Sequence, residues 1–185
     1  MKKIVIINGS PHKSGKTMTL VGDILKTSVN NEFETKSYDL SSMQIKGCQG
    51  CYSCKKTGKC IVKDDMHLIY QDIENADGII FATPVFIWQM TAQMKLVIDR
   101  LYAFMKQDYT SYLAPNKKFL FVVTFGGGNM DQYRSYFDMT CKSLKFIGFG
   151  EYKYVIAGGL KESQELYEGS NILIDTSEIS TWLLS

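Results

Sequence analysis

Four cysteines in one short segment are the residues of this chain whose types and spacing most clearly allow chemistry. They are Cys48, Cys51, Cys54 and Cys60. The segment from Gly47 to Cys60 reads G-C-Q-G-C-Y-S-C-K-K-T-G-K-C, a C-x2-C-x2-C-x5-C spacing. A bacterial ferredoxin run has a shorter last gap and a proline after its fourth cysteine, which serves a second cluster. The longer gap here, with Gly58 inside it, allows the segment to fold back around one [4Fe-4S] cluster.

Two other states of the same thiols stay open. Structural zinc usually takes two C-x2-C pairs set well apart, a pattern that this segment does not follow closely. Free thiols or a redox disulfide fit the spacing as well. Five lysines surround the cysteines: Lys46, Lys55, Lys56, Lys59 and Lys63. Their charge would offset the thiolates of a cluster and would equally lower the pKa of free thiols, so it does not choose between these states.

A second candidate site is the loop from Gly9 to Thr17, G-S-P-H-K-S-G-K-T, which follows the apolar run Ile4-Val5-Ile6-Ile7 and leads into a predicted helix. Glycine, small hydroxyls and a helix N-terminus suit a phosphate group. Five residues separate Gly9 from Gly15 where a Walker A loop has four, so we expect a terminal monophosphate rather than a nucleotide triphosphate. The predicted donors are Ser10, Ser14 and Thr17, with His12 and Lys16 adding positive charge.

This loop resembles the G-S-P-R-x-x-G-N-T loop of the flavodoxin-like NAD(P)H-dependent FMN reductases and iron–sulfur flavoproteins. His12 stands where arginine is usual and Lys16 where asparagine is usual, and both keep a donor that can reach phosphate. The resemblance implies FMN as cofactor. The cysteine spacing is similar to that of the iron–sulfur flavoproteins, which place a [4Fe-4S] cluster beside FMN. Cluster-free relatives carry similar cysteines ahead of an Asp-Asp pair, here Asp64 and Asp65.

The segment from Thr83 to Arg100, T-P-V-F-I-W-Q-M-T-A-Q-M-K-L-V-I-D-R, is similar without a gap to P-V-Y-W-x-x-M-S-A-Q-L-K-x-x-I-D-R of the same family. A flavin needs an apolar ledge and amide groups that read its pyrimidine edge. The residues predicted to supply them are Pro84, Val85, Phe86, Ile87 and Trp88. Lys95, Asp99 and Arg100 on the following helix are expected to be structural or to lie at a subunit contact.

A glycine-rich loop completes the predicted flavin site. The segment from Thr124 to Met130 reads T-F-G-G-G-N-M, and backbone without side chains can lie flat against a ring edge. The predicted contacts are Thr124, Gly126, Gly127 and Gly128. A plain loop without a ligand is the alternative for this segment.

The elements that must position these loops alternate between short apolar runs and amphipathic stretches. Strands are predicted at 4–7, 35–40, 78–83, 118–124 and 152–157, and helices at 18–25, 64–75, 90–104 and 130–147. Beyond Lys161, Glu165–Tyr167 and Ile179–Leu184 are predicted to belong to a broken terminal helix. Residues 1–185 are therefore expected to form one α/β domain, a doubly wound, five-stranded parallel sheet in three layers with the flavodoxin-like fold. Ligands of such sheets bind beyond the carboxyl ends of the strands.

Composition narrows the function class. The formal charge of +2 gives no reason to expect nucleic acid or a membrane surface as partner. No stretch reaches the ~20 apolar residues of a membrane span, and only four apolar residues precede Asn8, fewer than the ~7–15 of a signal-peptide core. These features predict a cytoplasmic protein. The fifth cysteine, Cys141, is expected to be a buried apolar side chain.

The combined interpretation is an FMN-dependent oxidoreductase that passes electrons between a [4Fe-4S] cluster and FMN. A cluster-free NAD(P)H-dependent FMN, quinone or nitro-compound reductase is the near alternative. A non-enzymatic flavodoxin-type electron carrier is the alternative from another class. No catalytic side chain is predicted, because the flavin performs the chemistry. Expected partners are NAD(P)H or ferredoxin as donor, a small-molecule acceptor, and further copies of the chain in a homodimer or homotetramer.

Overall fold

The computed structural model describes residues 1–26, 33–158 and 176–185. Its strands are β1 Lys2–Asn8, β2 Phe33–Asp39, β3 Gly78–Phe86, β4 Gln89–Met90, β5 Lys118–Phe125 and β6 Tyr152–Gly158. Its helices are α1 Lys16–Lys26, α2 Cys54–Thr57, α3 Met66–Asn75, α4 Ala92–Arg100, α5 Asp131–Ile147 and α6 Thr176–Leu184. The predicted Glu165–Tyr167 part of the terminal helix lies outside the described residues, whereas the Ile179–Leu184 part falls within α6.

Five strands form one parallel sheet in the order β2-β1-β3-β5-β6. This order is that of the flavodoxin-like doubly wound folds, and it confirms the predicted fold class. The strand that the sequence did not predict is β4, whose two residues pair antiparallel with the end of β3, Val85 opposite Met90 and Phe86 opposite Gln89. The carboxyl ends of β1, β3 and β5 therefore lie side by side, and the loops that follow them share one edge of the sheet.

The two faces of the sheet carry separate cores. On one face, α1 and α6 cover β-strand residues such as Ile6, Ile80 and Val122. On the other face, α3, α4 and α5 cover residues such as Ile79 and Phe121, and Cys54 and Cys60 of the cysteine segment pack against this second group. Parallel strands buried on both faces have to be apolar throughout, which explains the continuous apolar run of β1.

Helix α4 is shorter than the predicted helix 90–104. Met90 belongs to β4, and Thr91 begins the helix with extended backbone while its hydroxyl accepts a hydrogen bond from the Met94 N–H at 3.3 Å. A serine or threonine with this geometry is a typical helix N-cap. After Arg100 the chain tightens into a 3-10 turn from Leu101 to Phe104. Met94, Val97 and Leu101, spaced along this stretch at helical intervals, are all fully buried.

The predicted burial of Cys141 is confirmed. The residue is fully buried on α5, and burial raises the pKa of its thiol to about 12. Among the described residues, none of the helices is both long and apolar enough to cross a bilayer.

Candidate functional site

The loop after β1 is shaped by its own polar side chains. The buried Asn8 accepts the Ser10 N–H on Oδ1 at 2.9 Å, and the Ser10 hydroxyl accepts the His12 N–H at 3.1 Å. The Gly15 N–H donates to the His12 carbonyl at 3.1 Å, immediately before α1 begins at Lys16. In the first turn of α1, the Met18 and Thr19 N–H groups donate to the Gly15 carbonyl at 2.9 and 3.1 Å. The first N–H groups of a helix, here those of Lys16 and Thr17, have no partner inside it, and such a helix start is a typical anion site.

Asn8 and Asp39 are positioning residues that the sequence did not reveal as such. The Asn8 side chain donates to Asp39 Oδ1 at 2.9 Å, and Lys13 pairs with the other carboxylate oxygen at 3.5 Å. Asp39 ends β2, the strand next to β1, so the loop shape depends on the sheet pairing. A buried asparagine at a strand end has no motif of its own, and only its tertiary partner identifies its role.

The loops after β1 and β5 meet through two buried hydroxyls. Thr17 on α1 and Thr124 on β5 share a hydrogen bond of 2.7 Å between their Oγ1 atoms. A cavity of about 260 Å³ opens beside this pair. Its lining consists of Ser10, His12, Gly15, Lys16, Thr17, Pro84, Val85, Phe86, Thr124, Phe125 and Gly126. Three loops that are far apart in sequence therefore form one pocket at the carboxyl edge of the sheet.

Most of the predicted flavin-site residues are brought together here. The cavity is lined by nine of the predicted residues: Ser10, His12, Lys16, Thr17, Pro84, Val85, Phe86, Thr124 and Gly126. Ser14, Ile87, Trp88, Gly127 and Gly128 do not line it. Ser14, Ile87, Trp88 and Gly127 are exposed close by along the chain. Gly15 and Phe125 line the cavity without having been singled out, although both stand inside motifs that were.

The predicted phosphate loop, from Gly9 to Thr17, is also fixed to the loop after β3. Thr91 donates its hydroxyl to the Gly9 carbonyl at 2.8 Å, and the Thr91 N–H donates to the Thr83 hydroxyl at 3.1 Å. A Cβ on Gly9 would lie 2.9 Å from both Met94 Cβ and Thr91 Oγ1, closer than real contacts allow. Glycine is therefore required at position 9 by close packing against the start of α4.

The turn between β3 and β4 holds an unusual backbone. Ile87 and Trp88, its two central residues, have φ angles of 47° and 62°. Two positive φ angles define the type I′ hairpin turn, which usually carries Asn-Gly, and a β-branched residue such as isoleucine is strongly disfavoured there. Both side chains are exposed, Ile87 at 84% and Trp88 at 65%. Strained residues of this kind tend to mark ligand-binding segments.

The cavity fits the phosphate end and the ring of FMN. Hydroxyls, a helix N-terminus and the basic side chains of His12 and Lys16 meet in one wall, while Pro84 and Phe86 contribute apolar surface. A Cβ on Gly126 or Gly127 would meet no atom within 4 Å, so this backbone borders open space that a planar group can approach. A larger cavity of about 440 Å³ lies along β6 between Met130 and Arg134, away from the phosphate loop, so we place the site in the smaller one.

The cysteine segment lies on the α3–α4–α5 face and is exposed at its tip. Cys48 and Cys51 are exposed, whereas Cys54 and Cys60 are half-buried. Hydrogen bonds from the N–H and the hydroxyl of Ser53 lower the pKa of Cys51. Burial raises the pKa of Cys54; Lys55 opposes this rise, and Cys60 and Cys48 add to it.

A buried ion pair lies where the cysteine segment begins and ends. Arg100 donates from Nη1 to Asp64 Oδ2 at 2.7 Å and from Nη2 to Asp64 Oδ1 at 3.1 Å, with both side chains at most 2% exposed. Burial opposes both charges. Hydrogen bonds from Arg100 and from the N–H groups of Lys46 and Met66 nevertheless lower the pKa of Asp64, and Asp64 raises that of Arg100. Arg100 is therefore structural, in agreement with the expectation for this helix.

The middle of the segment is fixed by a second cation. Lys55 donates from Nζ to the carbonyls of Tyr102 and Met105 at 2.9 and 2.6 Å and lies 3.3 Å from the centre of the Tyr102 ring. Burial lowers the pKa of Lys55. Its ammonium group keeps its charge while it donates to these carbonyls, and that charge opposes the rise in the pKa of Cys54. Lys56, Lys59 and Lys63 remain exposed.

The four thiols have the right chemistry for a thiophilic metal but do not form a finished cage. Within residues 1–26, 33–158 and 176–185, no three cysteine, histidine or acidic side chains stand close enough together to hold a metal ion. To hold one cluster, the four thiols would have to lie closer together than they do here. We therefore derive no electron-transfer step through a cluster from this geometry.

The sequence matches a protein-family model and curated relatives. Residues 2–139 match the family model of the NADPH-dependent FMN reductases. An iron–sulfur flavoprotein of Archaeoglobus fulgidus is 39% identical over 99 residues, which cover 54% of this chain and 45% of that protein. One of Methanocaldococcus jannaschii is 37% identical over 98 residues, covering 53% and 51%. The matched stretch thus spans about half the length of these relatives.

Solved structures share the fold at low sequence identity. An FMN-dependent NADH-azoreductase from Bacillus anthracis in complex with FMN superposes with a TM-score of 0.70 at 17% identity, with both chains covered completely. An NAD(P)H:quinone oxidoreductase from Methanothermobacter marburgensis gives 0.69 at 14%, covering 98% of this chain and 94% of that one. Together with the match over residues 2–139, the phosphate loop and the turn after β3 identify the chain as a member of the NADPH-dependent FMN reductase family.

Proposed function

We propose that this chain is an FMN-dependent oxidoreductase that takes electrons from NADPH or NADH and passes them to a small-molecule acceptor. The observation that carries the proposal is the cavity in which Ser10, Thr17 and Thr124 meet Pro84 and Phe86. FMN, when bound, supplies hydride acceptance and electron transfer. The residues of the chain bind and orient it: the β1 loop and α1 hold the phosphate, and the β3 and β5 loops hold the ring.

Two measurements test this proposal. The cofactor released from the purified protein should have the mass of FMN, and FAD would contradict the phosphate-end assignment. Steady-state oxidation of NADPH or NADH with a quinone, flavin or nitro compound as acceptor should then be observed. Reduction by ferredoxin without any reaction with either nicotinamide would favour an electron carrier or an iron–sulfur flavoprotein instead.

A second candidate function concerns the cysteine segment. We propose that Cys48, Cys51, Cys54 and Cys60 act together and hold a [4Fe-4S] cluster once the segment closes. The spacing supports this, and so do relatives named iron–sulfur flavoproteins over about half of the chain. Anaerobic purification with iron and acid-labile sulfide counted against flavin is the test. About four irons per FMN are expected, and iron near zero would favour free thiols and a cluster-free reductase; zinc in their place would identify a structural site.

A further inference from the structure

One guanidinium group joins the two ends of the cysteine segment. In addition to Asp64, Arg100 donates from Nη1 to the Lys46 carbonyl at 2.8 Å and from Nη2 to the Val62 carbonyl at 3.4 Å. Lys46 precedes the first cysteine by two residues, and Val62 follows the last one by two. A single side chain of α4 therefore holds together the backbone just before Cys48 and the backbone just after Cys60.

The same contact is reinforced by the acidic pair that follows the segment. Asp64 accepts the Lys46 N–H at 2.9 Å, and Asp65 accepts the Gln44 N–H at 2.7 Å. Tyr70 on α3 donates its hydroxyl to the Arg100 carbonyl at 2.7 Å, which holds the end of α4 in place. Arg100 Nε is buried without a hydrogen-bond partner. The guanidinium group therefore occupies this position at the cost of one unsatisfied donor.

We propose that Arg100 is a positioning residue that holds the two ends of the cysteine segment together, next to Cys48 and Cys60, and thereby sets the affinity of the segment for a thiophilic metal. Groups that orient metal ligands without touching the metal typically contribute a factor of ~10–100 to affinity. Lysine cannot replace arginine here, because one ammonium group cannot bond a carboxylate bidentately and two carbonyls at once. The inference rests on the proposal that the four thiols act together.

The test uses FMN-loaded, iron-free protein titrated with Cd²⁺, whose thiolate absorption reports on sulfur ligation. Arg100→Lys should raise the dissociation constant for Cd²⁺ by about tenfold or more while leaving FMN affinity unchanged. Asp99→Asn is the matched control, since Asp99 precedes Arg100 on α4 but forms an exposed ion pair with Lys95, at 2.6 Å. This control should bind Cd²⁺ like the parent.

Loss of folding stability has to be separated from loss of positioning. Ile80→Ala opens a cavity in the core on the opposite face of the sheet and should lower stability without weakening Cd²⁺ binding. Should Arg100→Lys not fold, the pair Arg100→Met with Asp64→Leu removes both buried charges together, a change that proteins often tolerate. The same weakening of Cd²⁺ binding is expected for this pair.

The possible failures are distinguishable. If the parent binds Cd²⁺ through its thiols and the Arg100 variants bind it equally well, the inference about Arg100 is wrong. The proposed joint action of the thiols then still stands. Equal weakening by Ile80→Ala would also overturn the inference about Arg100. A parent without thiolate absorption would overturn the proposed joint action of the thiols, and this inference with it.

Discussion

Thr91 Oγ1 donates a hydrogen bond of 2.8 Å to the carbonyl of Gly9, and this contact fixes the phosphate loop to the start of α4. The same hydroxyl accepts the Met94 N–H as the helix N-cap, so one fully buried side chain serves two loops of the site. Thr91→Val keeps the shape of the side chain but leaves the Gly9 carbonyl and the Met94 N–H without their hydroxyl partner. We expect the free energy of unfolding to fall by about 2 kcal/mol or more, measured by urea denaturation. Thr19→Val, which removes only an exposed bond of 3.3 Å to Gly15, should have little effect.

The phosphate assignment predicts a specific loss of cofactor affinity. Ser10→Ala combined with Thr17→Ala removes two hydroxyls that line the cavity. Hydrogen bonds to a charged group are worth ~1.5–3 kcal/mol each, so FMN binding should weaken roughly a hundredfold or more. Flavin fluorescence quenching measures it. Ser14→Ala is the control, since Ser14 is exposed outside the cavity; equal losses in both variants would place the phosphate elsewhere.

The turn at Ile87 and Trp88 should be more stable with residues suited to positive φ. Replacing Ile87 by Asn and Trp88 by Gly is expected to raise the free energy of unfolding of the FMN-free protein by about 1 kcal/mol, because residues strained in this way cost ~1–3 kcal/mol each. Gln89→Gly, at a strand position with no positive φ, should destabilise instead. If the exposed Trp88 ring contacts the flavin, the stabilised variant will also bind FMN more weakly. A stability unchanged or lowered in the double variant would contradict the strain.

Acid sensitivity should depend on Asp72. Lys3 and Lys36 pair with its carboxylate at 2.5 and 2.6 Å, and Tyr38 donates its hydroxyl to the same group. Burial opposes the charge, but the hydrogen bonds from Lys3, Lys36 and Tyr38 outweigh it and lower the pKa of Asp72 to about 2. A carboxylate with a depressed pKa stabilises the folded state above its unfolded pKa of ~3.9. That contribution, on the order of 2 kcal/mol, is lost as the pH falls from about 4 to about 2. Asp72→Asn should flatten the unfolding free energy over this interval, and an unchanged slope would count against the assignment.

Self-association is expected from the surface around the site. The apolar side chains of Met94 and Val97 on α4 are buried within the chain. Apolar surface instead remains on Phe86, Ile87, Trp88 and Tyr109. We expect a homodimer or homotetramer, since closed symmetric assemblies are the commonest kind. Light scattering at micromolar concentration measures the mass, and a single species of 21.0 kDa would contradict the prediction.

The fold could be predicted because the inner strands β1, β3 and β5 each contain a local apolar run, and parallel strands buried on both faces leave little freedom in their order. The phosphate loop and the segment after β3 could be predicted for a different reason: their motifs are contiguous in sequence. Asn8, Asp39 and Thr91 could not be assigned roles, because their partners are far away along the chain. The β3–β4 hairpin escaped prediction because Ile87 and Trp88 contradict the usual residues of its turn.

The separation of the two cores by the sheet bears on how such a protein can change over evolution. Helix α1, which follows the phosphate loop, belongs to one core, and the cysteine segment packs on the other. Since the carbonyls of Lys46 and Val62, on either side of that segment, both bond to Arg100, the segment begins and ends at one place. Insertions or exchanges between residues 47 and 61 therefore need not disturb cofactor binding. A lineage could therefore gain, lose or replace its sulfur chemistry while the flavin half of the molecule is inherited intact.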